Sequence, residues 1–261
     1  MRSLNIAATG MLAQQTNVEV ISNNIANMNT TAFKRQRAEF QDLLYQDHRR
    51  VGSASSDTGT IVPAGVQIGV GVKTAGVYRI TEQGNLVSTN NTYDVAIQGK
   101  GFFQVTLPNG DTAFTRAGSF QLSADGTIVN ADGYTVSPGV TIPNNAVSVT
   151  INSSGQVLAK VQGTVAPTNV GQLSLVNFAN EAGLEAAGDN LLLETPASGT
   201  PITGTPGTDG FGTILQGFVE TSNVNVVQEV TNLITAQRAY EMNSKVIEAS
   251  DEMMRSLTQL R

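Results

Sequence analysis

The chain has 261 residues and a formal net charge of -6, with one histidine and no cysteine. The absence of cysteine excludes disulfides, thiolate metal sites and cysteine nucleophiles, and the acidic balance excludes the broad basic surface of a nucleic-acid-binding protein. Charged residues make up only 14 % of the sequence, compared with about 25 % in an average domain. This composition, which includes 26 glycines, favours short strands, tight turns and polar packing surfaces.

The N-terminal region, residues 1–46, predicts a long helix followed by a short one. Apolar residues recur every seven positions, which is the pattern of a helix with one apolar seam. The residues of this seam are Leu4, Met11, Val18, Ile21 and Ile25. A polar cluster at residues 27–31 predicts the end of the first helix, and residues 33–45 are expected to form the second.

Neither a secretory signal nor a membrane insertion is expected. Polar residues such as Gln14 and Asn17 interrupt the apolar runs near the N-terminus. No stretch approaches the roughly 20 apolar residues that cross a bilayer. If the protein leaves the cytoplasm, a route other than general secretion must recognise it, and no signal peptide is cleaved.

The middle region changes from a helical to a strand-like pattern. Residues 47–76 carry little charge and are interpreted as an extended stretch. Residues 77–217 alternate short apolar runs with turn pairs such as Asn109-Gly110, which predicts a mainly β domain resembling a sandwich or barrel. Within it, residues 196–212 are rich in proline, glycine and threonine and are expected to form a flexible loop.

The C-terminal region, residues 218–261, predicts one long helix from about residue 222 onward. No glycine or proline interrupts it after Gly217, and polar residues at 220–223 offer an N-terminal cap. Its apolar stripe contains Val226, Val230, Leu233, Tyr240, Ile247 and Met254. The predicted fold class is therefore α+β: residues 1–46 and 218–261 supply terminal helices that form a coiled-coil-like pair, and the middle domain is mainly β.

Two interpretations of the helical stripes remain open. The terminal helices pair with each other or cover the β domain in a monomer, or they also pack against the same helices of other copies. Periodicity alone favours neither. Polar residues in the stripes, Gln14, Gln237 and Ser244, weaken an isolated pair and favour assembly.

The sequence predicts no catalytic, cofactor-binding or metal-binding residues. The single histidine, His48, lies in a charged segment without a second histidine or cysteine to share a metal. Gly99-Lys100-Gly101 lacks the remaining positions of a phosphate-binding loop. The aspartates mostly precede or lie in turns, where their side chains bond to the backbone.

Two segments, KRQRAEFQDLLYQ at residues 34–46 and PAGVQIGVG at 63–71, resemble the distal-rod type of the bacterial flagellar axial proteins, the rod and hook family. Four further blocks of sequence resemble this family as a whole. They are SNNIAN with NTTAFK at residues 22–34, QGNLVSTNNTYDVAIQGKGFFQV at 83–105, FTRAGSFQLSADG at 114–126 and SNVNVVQEVTNLITAQRAYEMNSKVI at 222–247. The motif residues singled out are Asn23, Asn24, Asn27, Asp94, Gly99, Gly101, Phe102 and Phe103. Ala32 departs from the family pattern, which often has glycine there; a positive φ would strain alanine.

The resemblance implies a structural subunit, not an enzyme, that polymerises into a helical tube and transmits torque in the flagellar basal body. It implies contacts with further copies, proximal rod proteins, the hook protein or its adaptors, the surrounding rings and the flagellar export apparatus. Residues 47–76 would then pack between subunits and stiffen the tube; the positions singled out are Gly52, Pro63, Gly65 and Gly69. The alternatives are a proximal rod or hook subunit and, in another class, a monomeric β-rich binding module.

Overall fold

The structure is a computed structural model that describes residues 2–50, 64–163 and 166–259. Its contacts divide these residues into two compact units. The helical unit contains residues 2–26, 36–50, 64–78 and 225–259. The β unit contains residues 27–35, 79–163 and 166–224. The predicted boundaries at 46, 76 and 217 stay a prediction.

Two long helices, α1 (Arg2–Ala26) and α2 (Val226–Gln259), dominate the helical unit. They run antiparallel, because the first turns of α1 contact the last turns of α2. The Ser250 hydroxyl donates to the Ser3 hydroxyl over 3.2 Å, and Asn24 at the other end of α1 donates to the Glu229 carboxylate over 3.3 Å. The predicted terminal helices are confirmed.

The start of α2 differs from the prediction. The N-terminal cap is Asn225, whose side-chain oxygen accepts the backbone N–H of Gln228 over 3.3 Å. The polar residues at 220–223, which the sequence offered as the cap, bond within the β unit. An asparagine at this position satisfies one of the free N–H groups in the first helical turn.

Residues 33–45, predicted as a short helix, contain a strand in the structure. The helical unit has four strands: β1 (Gln36–Asp42), β2 (Tyr45–Arg49), β3 (Val66–Gly69) and β4 (Val72–Arg79). Strand β1 pairs with β4, and β2 pairs antiparallel with β3. In β1 the half-buried residues alternate with the exposed ones, so its period is two and the helix prediction was wrong.

The β unit contains sixteen strands among its described residues, joined by tight turns. They are β5 (Leu86–Ser88), β6 (Val95–Gln98), β7 (Phe102–Thr106), β8 (Thr112–Thr115), β9 (Gln121–Leu122), β10 (Ile128–Val129), β11 (Thr135–Val136), β12 (Ala146–Ile151), β13 (Gln156–Val161), β14 (Thr168–Gln172), β15 (Leu175–Asn177), β16 (Glu185–Gly188), β17 (Leu191–Leu193), β18 (Ile202–Gly204), β19 (Thr213–Gln216) and β20 (Phe218–Glu220). A short 3-10 helix spans Glu181–Gly183. The mainly β middle region is confirmed.

A nine-stranded sheet forms the centre of the β unit. Its main path is β16-β17-β8-β7-β11-β10-β9, and β15 joins β7 and carries β18 at its side. Strands β12, β13 and β14 form a second sheet, and β19 pairs with β6 and β20 with β5. Phe103, fully buried in β7, packs edge-on against Phe120 with ring centroids 5.1 Å apart. This aromatic contact lies inside the main core.

The turn predictions are confirmed, whereas the prediction of a flexible loop at residues 196–212 is wrong in part. Gly110 and Gly133 have φ values of 89° and 85°, so the Asn-Gly and Asp-Gly pairs form the expected tight turns. Residues 196–212 do not form a flexible loop throughout. Strand β18 lies within them and pairs with β15, and the Ser198 side chain is fully buried. Their composition is that of a loop, but tertiary pairing determines their structure.

Candidate assembly interface

The two helices meet through small and polar residues that recur every seven positions. On α1 the series includes Ser3, Gly10 and Asn24, and on α2 it includes Ser250, Asn243 and Glu229. Gly10 lies so close to α2 that a Cβ there would be 2.9 Å from the Asn243 amide nitrogen. In each pair the two residue numbers add to the same value, so one antiparallel register satisfies all three contacts.

Helix α2 exposes many apolar residues in the single chain. The Glu229, Ala236 and Ser250 side chains are buried, whereas 78 % of Val227 and 67 % of Met242 are exposed. Among the described residues of α2, the large apolar ones that are exposed are Val226, Val227, Val230, Ile234, Tyr240, Met242, Val246, Met253 and Met254. Two polar residues, Glu229 and Ser250, are thus buried while these apolar residues meet solvent, whereas an ordinary surface helix buries its apolar stripe.

The predicted seam residues differ in how far they are buried in the single chain. On α1, Ile21 is buried, and the others are half-buried: Leu4, Met11, Val18 and Ile25. On α2, Leu233 and Ile247 are half-buried. The remaining four predicted residues, Val226, Val230, Tyr240 and Met254, are exposed by about two-fifths each, from 39 % to 45 %. Glu229, which meets Asn24 in the seam, was missed because heptad analysis searches for apolar positions, and Asn24 was singled out only as a family-motif residue.

Asn24 joins three elements of the helical unit. Its amide nitrogen donates to the Gln36 carbonyl over 2.8 Å and to Glu229, and its oxygen accepts the Gln36 N–H over 2.8 Å. It is 1 % exposed. Asparagine is suited to this position because its side chain both donates and accepts, as the paired backbone groups of Gln36 require.

A buried ion cluster lies in the β unit, where the segments after α1 and before α2 run together. The Glu220 carboxylate, with a fully buried side chain, accepts from Lys34 Nζ over 2.5 Å and from Arg116 Nε over 2.7 Å. The Gly84 N–H also donates to it over 2.8 Å. Arg116 places its remaining nitrogens on the carbonyls of Gly101, over 2.7 Å, and Gly99.

The charges of the cluster are set by burial and by the neighbouring ions. Burial alone raises the pKa of Glu220, but Arg116 and then Lys34 outweigh it through charge and hydrogen bonding, so that the pKa lies below its ordinary value. Burial, together with the positive charge of Arg116, keeps the pKa of Lys34 below its ordinary value although the Glu220 carboxylate raises it. Glu220 is therefore an anion at neutral pH and holds two positive side chains in the interior.

Comparison with known proteins identifies the family. Three family profiles match: "Flagella basal body rod protein" over residues 4–34, "Flagellar hook protein FlgE/F/G D1 domain" over 96–159 and "Flagellar basal body rod FlgEFG protein C-terminal" over 215–260. The flagellar basal-body rod protein FlgG of Caulobacter vibrioides is 60 % identical over 261 residues, which cover 100 % of both chains. The FlgG proteins of Agrobacterium fabrum and Bacillus subtilis are 54 % and 39 % identical and cover at least 97 % of each chain.

The chain belongs to the FlgG family of flagellar basal-body rod proteins. The predicted identity, a structural rod subunit of the distal type in the basal body, is confirmed. Among the described residues, no helix is long and apolar enough to span a membrane, and no group of three or more histidine, cysteine, aspartate or glutamate side chains is placed to hold a metal ion.

The glycines of the central rod-family motif lie beside the ion cluster, and its two phenylalanines belong to the hydrophobic core. Gly99 and Gly101 have φ values of 112° and 131°, which turn their carbonyls to Arg116 and which other residues rarely adopt. Phe102 and Phe103 are buried in β7. Asp94 is 7 % exposed and accepts from Thr89 over 2.5 Å and Asn91 over 3.0 Å within a turn.

The other predicted residues are less enclosed. Asn23 is exposed, and Asn27 accepts the Thr30 hydroxyl over 3.0 Å in the turn after α1. Gly65 precedes β3, and Gly69 ends it beside the Tyr45 ring. Gly52 and Pro63 lie outside the described residues.

Replacing Ala32 with glycine is expected to stabilise the protein. Ala32 has a φ of 58°, the strained conformation that the sequence comparison suggested. Relief of this strain should stabilise the fold by about 1–2 kcal/mol, whereas the greater freedom of glycine in the unfolded chain should destabilise it by about 0.5–1 kcal/mol. We therefore expect a net gain of up to about 1.5 kcal/mol in the free energy of unfolding, measured by urea denaturation. A lower midpoint for Ala32→Gly would contradict the strain.

Acid is expected to remove the stability that Glu220 supplies. Because the pKa of Glu220 is lowered by folding, its contribution is complete above the ordinary glutamate pKa of 4.5. It is lost as pH falls below that value through the folded pKa, since the unfolded chain then binds more protons. The stability difference between the native chain and Glu220→Gln, from urea denaturation at a series of pH values, should shrink over this range. A difference independent of pH below 4.5 would exclude this role.

Proposed function

We propose that the chain polymerises into a stiff helical tube, the distal rod, and transmits torque across the periplasm to the hook. The observation that carries this proposal is the outward apolar face of α2. A helix that exposes Val227, Ile234 and Met242 leaves apolar area in water, which costs about 25 cal/mol per Å² until another surface covers it. In a homopolymer, the same helices of neighbouring copies would cover this apolar face.

The terminal helices form the inner, coiled-coil-like layer of this tube in our proposal. Their polar seam fixes the register of each pair, and their apolar residues pack against neighbouring pairs. The sandwich- or barrel-like β unit forms the outer layer. Its low charge would limit tight salt bridges to the surrounding rings, so that the rod turns inside them.

The same proposal includes the remaining partners of the subunit and the route by which it is exported. The subunit contacts proximal rod proteins on one side and the hook protein or its adaptors on the other, and it reaches its place through the flagellar export apparatus without a cleaved signal peptide. It has no catalytic role and binds no nucleic acid. Residues 47–76, including Gly52, Pro63, Gly65 and Gly69, pack between subunits and stiffen the tube. A proximal rod or hook subunit, or a monomeric binding module, has no comparable support.

Electron microscopy of concentrated purified protein tests the proposal. The full chain should form straight tubes, and a chain lacking residues 1–27 and 222–261 should form none. A second variant that lacks only residues 52–63 should give softer tubes or none. A full chain that stays monomeric under all conditions, with both helices protected from hydrogen exchange, would contradict assembly through the helices.

A further inference from the structure

We propose that Glu220 and Asn223 lock three chain segments of the β unit into one rigid coupling, so that the segments keep their mutual geometry under load. This proposal rests on the torque-transmitting function above. The segments are residues 27–35, 79–84 and 218–224, and each belongs to the β unit. The chain passes from one unit to the other four times, and every passage lies at an end of one of these segments.

Backbone hydrogen bonds join the first segment to each of the other two. The Ala32 N–H donates to the Glu220 carbonyl over 2.8 Å, which binds the first segment to the third. The Ile80 N–H donates to the Arg35 carbonyl over 2.9 Å, which binds the second to the first. These bonds connect the segments at their backbones, before any side chain is considered.

Asn223 bonds to the other two segments at once. Its side-chain oxygen accepts the Arg35 N–H over 2.7 Å, and its amide nitrogen donates to the carbonyls of Ile80 and Glu82, each over 3.0 Å. A side chain that accepts at one end and donates twice at the other is required here, and asparagine meets that requirement.

The Glu220 carboxylate also bonds to the other two segments, in this case as a charged acceptor. It accepts from Lys34 of the first segment and from the Gly84 N–H of the second. Lys34 also donates to the Glu82 carbonyl over 2.8 Å. Arg116 then connects the carboxylate to β-unit carbonyls at Gly99 and Gly101. Charged hydrogen bonds in a buried site hold geometry more firmly than neutral ones.

Gly84 allows this close approach. A Cβ at residue 84 would lie 2.0 Å from the Thr221 carbonyl oxygen, so any side chain there would push the second and third segments apart. Gly84 therefore acts with Glu220 and Asn223 as a positioning residue. Flexible glycine-rich segments in these places would keep no fixed geometry, because they turn freely about their backbone bonds.

Hydrogen exchange of the full-length protein, read by mass spectrometry, tests the coupling. In Asn223→Ala, amides of the three segments should exchange at least about tenfold faster, while amides of β7 keep their native rates. Gly84→Ala should show the same pattern. Asn109→Ala, which removes an asparagine from a remote exposed turn, and Gly76→Ala, where a Cβ meets nothing within 4 Å, are the matched controls.

The outcomes separate the coupling from general stability and from assembly. Segment amides that keep their native rates in Asn223→Ala, or β7 amides that accelerate equally, would overturn the proposal. Tubes of Asn223→Ala should also bend more, with a shorter persistence length than native tubes in electron micrographs. If the native chain forms no tubes, the proposed function fails, and the exchange rates still decide whether the segments are locked.

Discussion

Lysine at Met242 and Met253 is expected to abolish polymerisation while leaving the folded monomer intact. The two side chains are 67 % and 55 % exposed, so lysine meets water in the monomer and the free energy of unfolding should change by no more than about 0.5 kcal/mol. In a polymer that buries them, each lysine would place a charge against apolar neighbours, at a cost of several kcal/mol per subunit contact.

Sedimentation and electron microscopy, with urea denaturation beside them, measure this effect. The control is Gln259→Lys, which places the same side chain at an exposed polar position at the end of α2, outside the predicted stripe. We expect the control to retain tubes and the double variant to remain monomeric with a native denaturation midpoint. Tubes of normal yield from the double variant would show that this part of α2 is not an assembly surface.

Removing the Glu220 side chain is expected to cost about 3–5 kcal/mol of folding stability. In Glu220→Ala, Lys34 and Arg116 keep their buried positions but lose the carboxylate that both contact. An unpaired buried charge is far less stable than the intact pair, and a loss of this size is a large part of the total stability of a domain.

Urea denaturation at neutral pH measures this loss. The control Glu185→Ala removes a carboxylate from the exposed strand β16 and should change stability by less than about 0.5 kcal/mol. Combining Glu220→Ala with Lys34→Met should recover part of the loss, because one of the two unpaired cations is then gone. Equal stability of Glu220→Ala and the control would mean that the cluster contributes no net stability.

The sequence predicted the elements whose signal is local. Both terminal helices have long stretches without glycine or proline, and strands such as β7 and β12 lie between recognisable turns. The strand β1 escaped prediction because Phe33 and Phe40 also fit a helical spacing, and only pairing with β4 decides between the two. Strand β18 escaped for a similar reason: its residues have the composition of a loop, but β15 supplies their hydrogen bonds.

The candidate interface was harder to predict because burial depends on tertiary contacts. An apolar heptad pattern identifies a helix with an apolar stripe, but it does not reveal whether that stripe faces the same chain or another copy. In α2 the inner seam is polar, and Glu229 gives no apolar signal. The Glu220 cluster joins residues 34, 116 and 220, and nothing in a linear sequence brings these together. Their presence inside or beside the family motif blocks was the one available indication.

Helical reconstruction of tubes formed by the full chain, by electron cryo-microscopy, would show whether α2 is the assembly surface. We expect the exposed apolar residues of α2, such as Val227, Met242 and Met253, to contact the helices of neighbouring copies, while Asn24 keeps its bond to Glu229 within each copy. Tubes in which those three side chains face solvent, with subunits joined through their β units alone, would contradict this expectation.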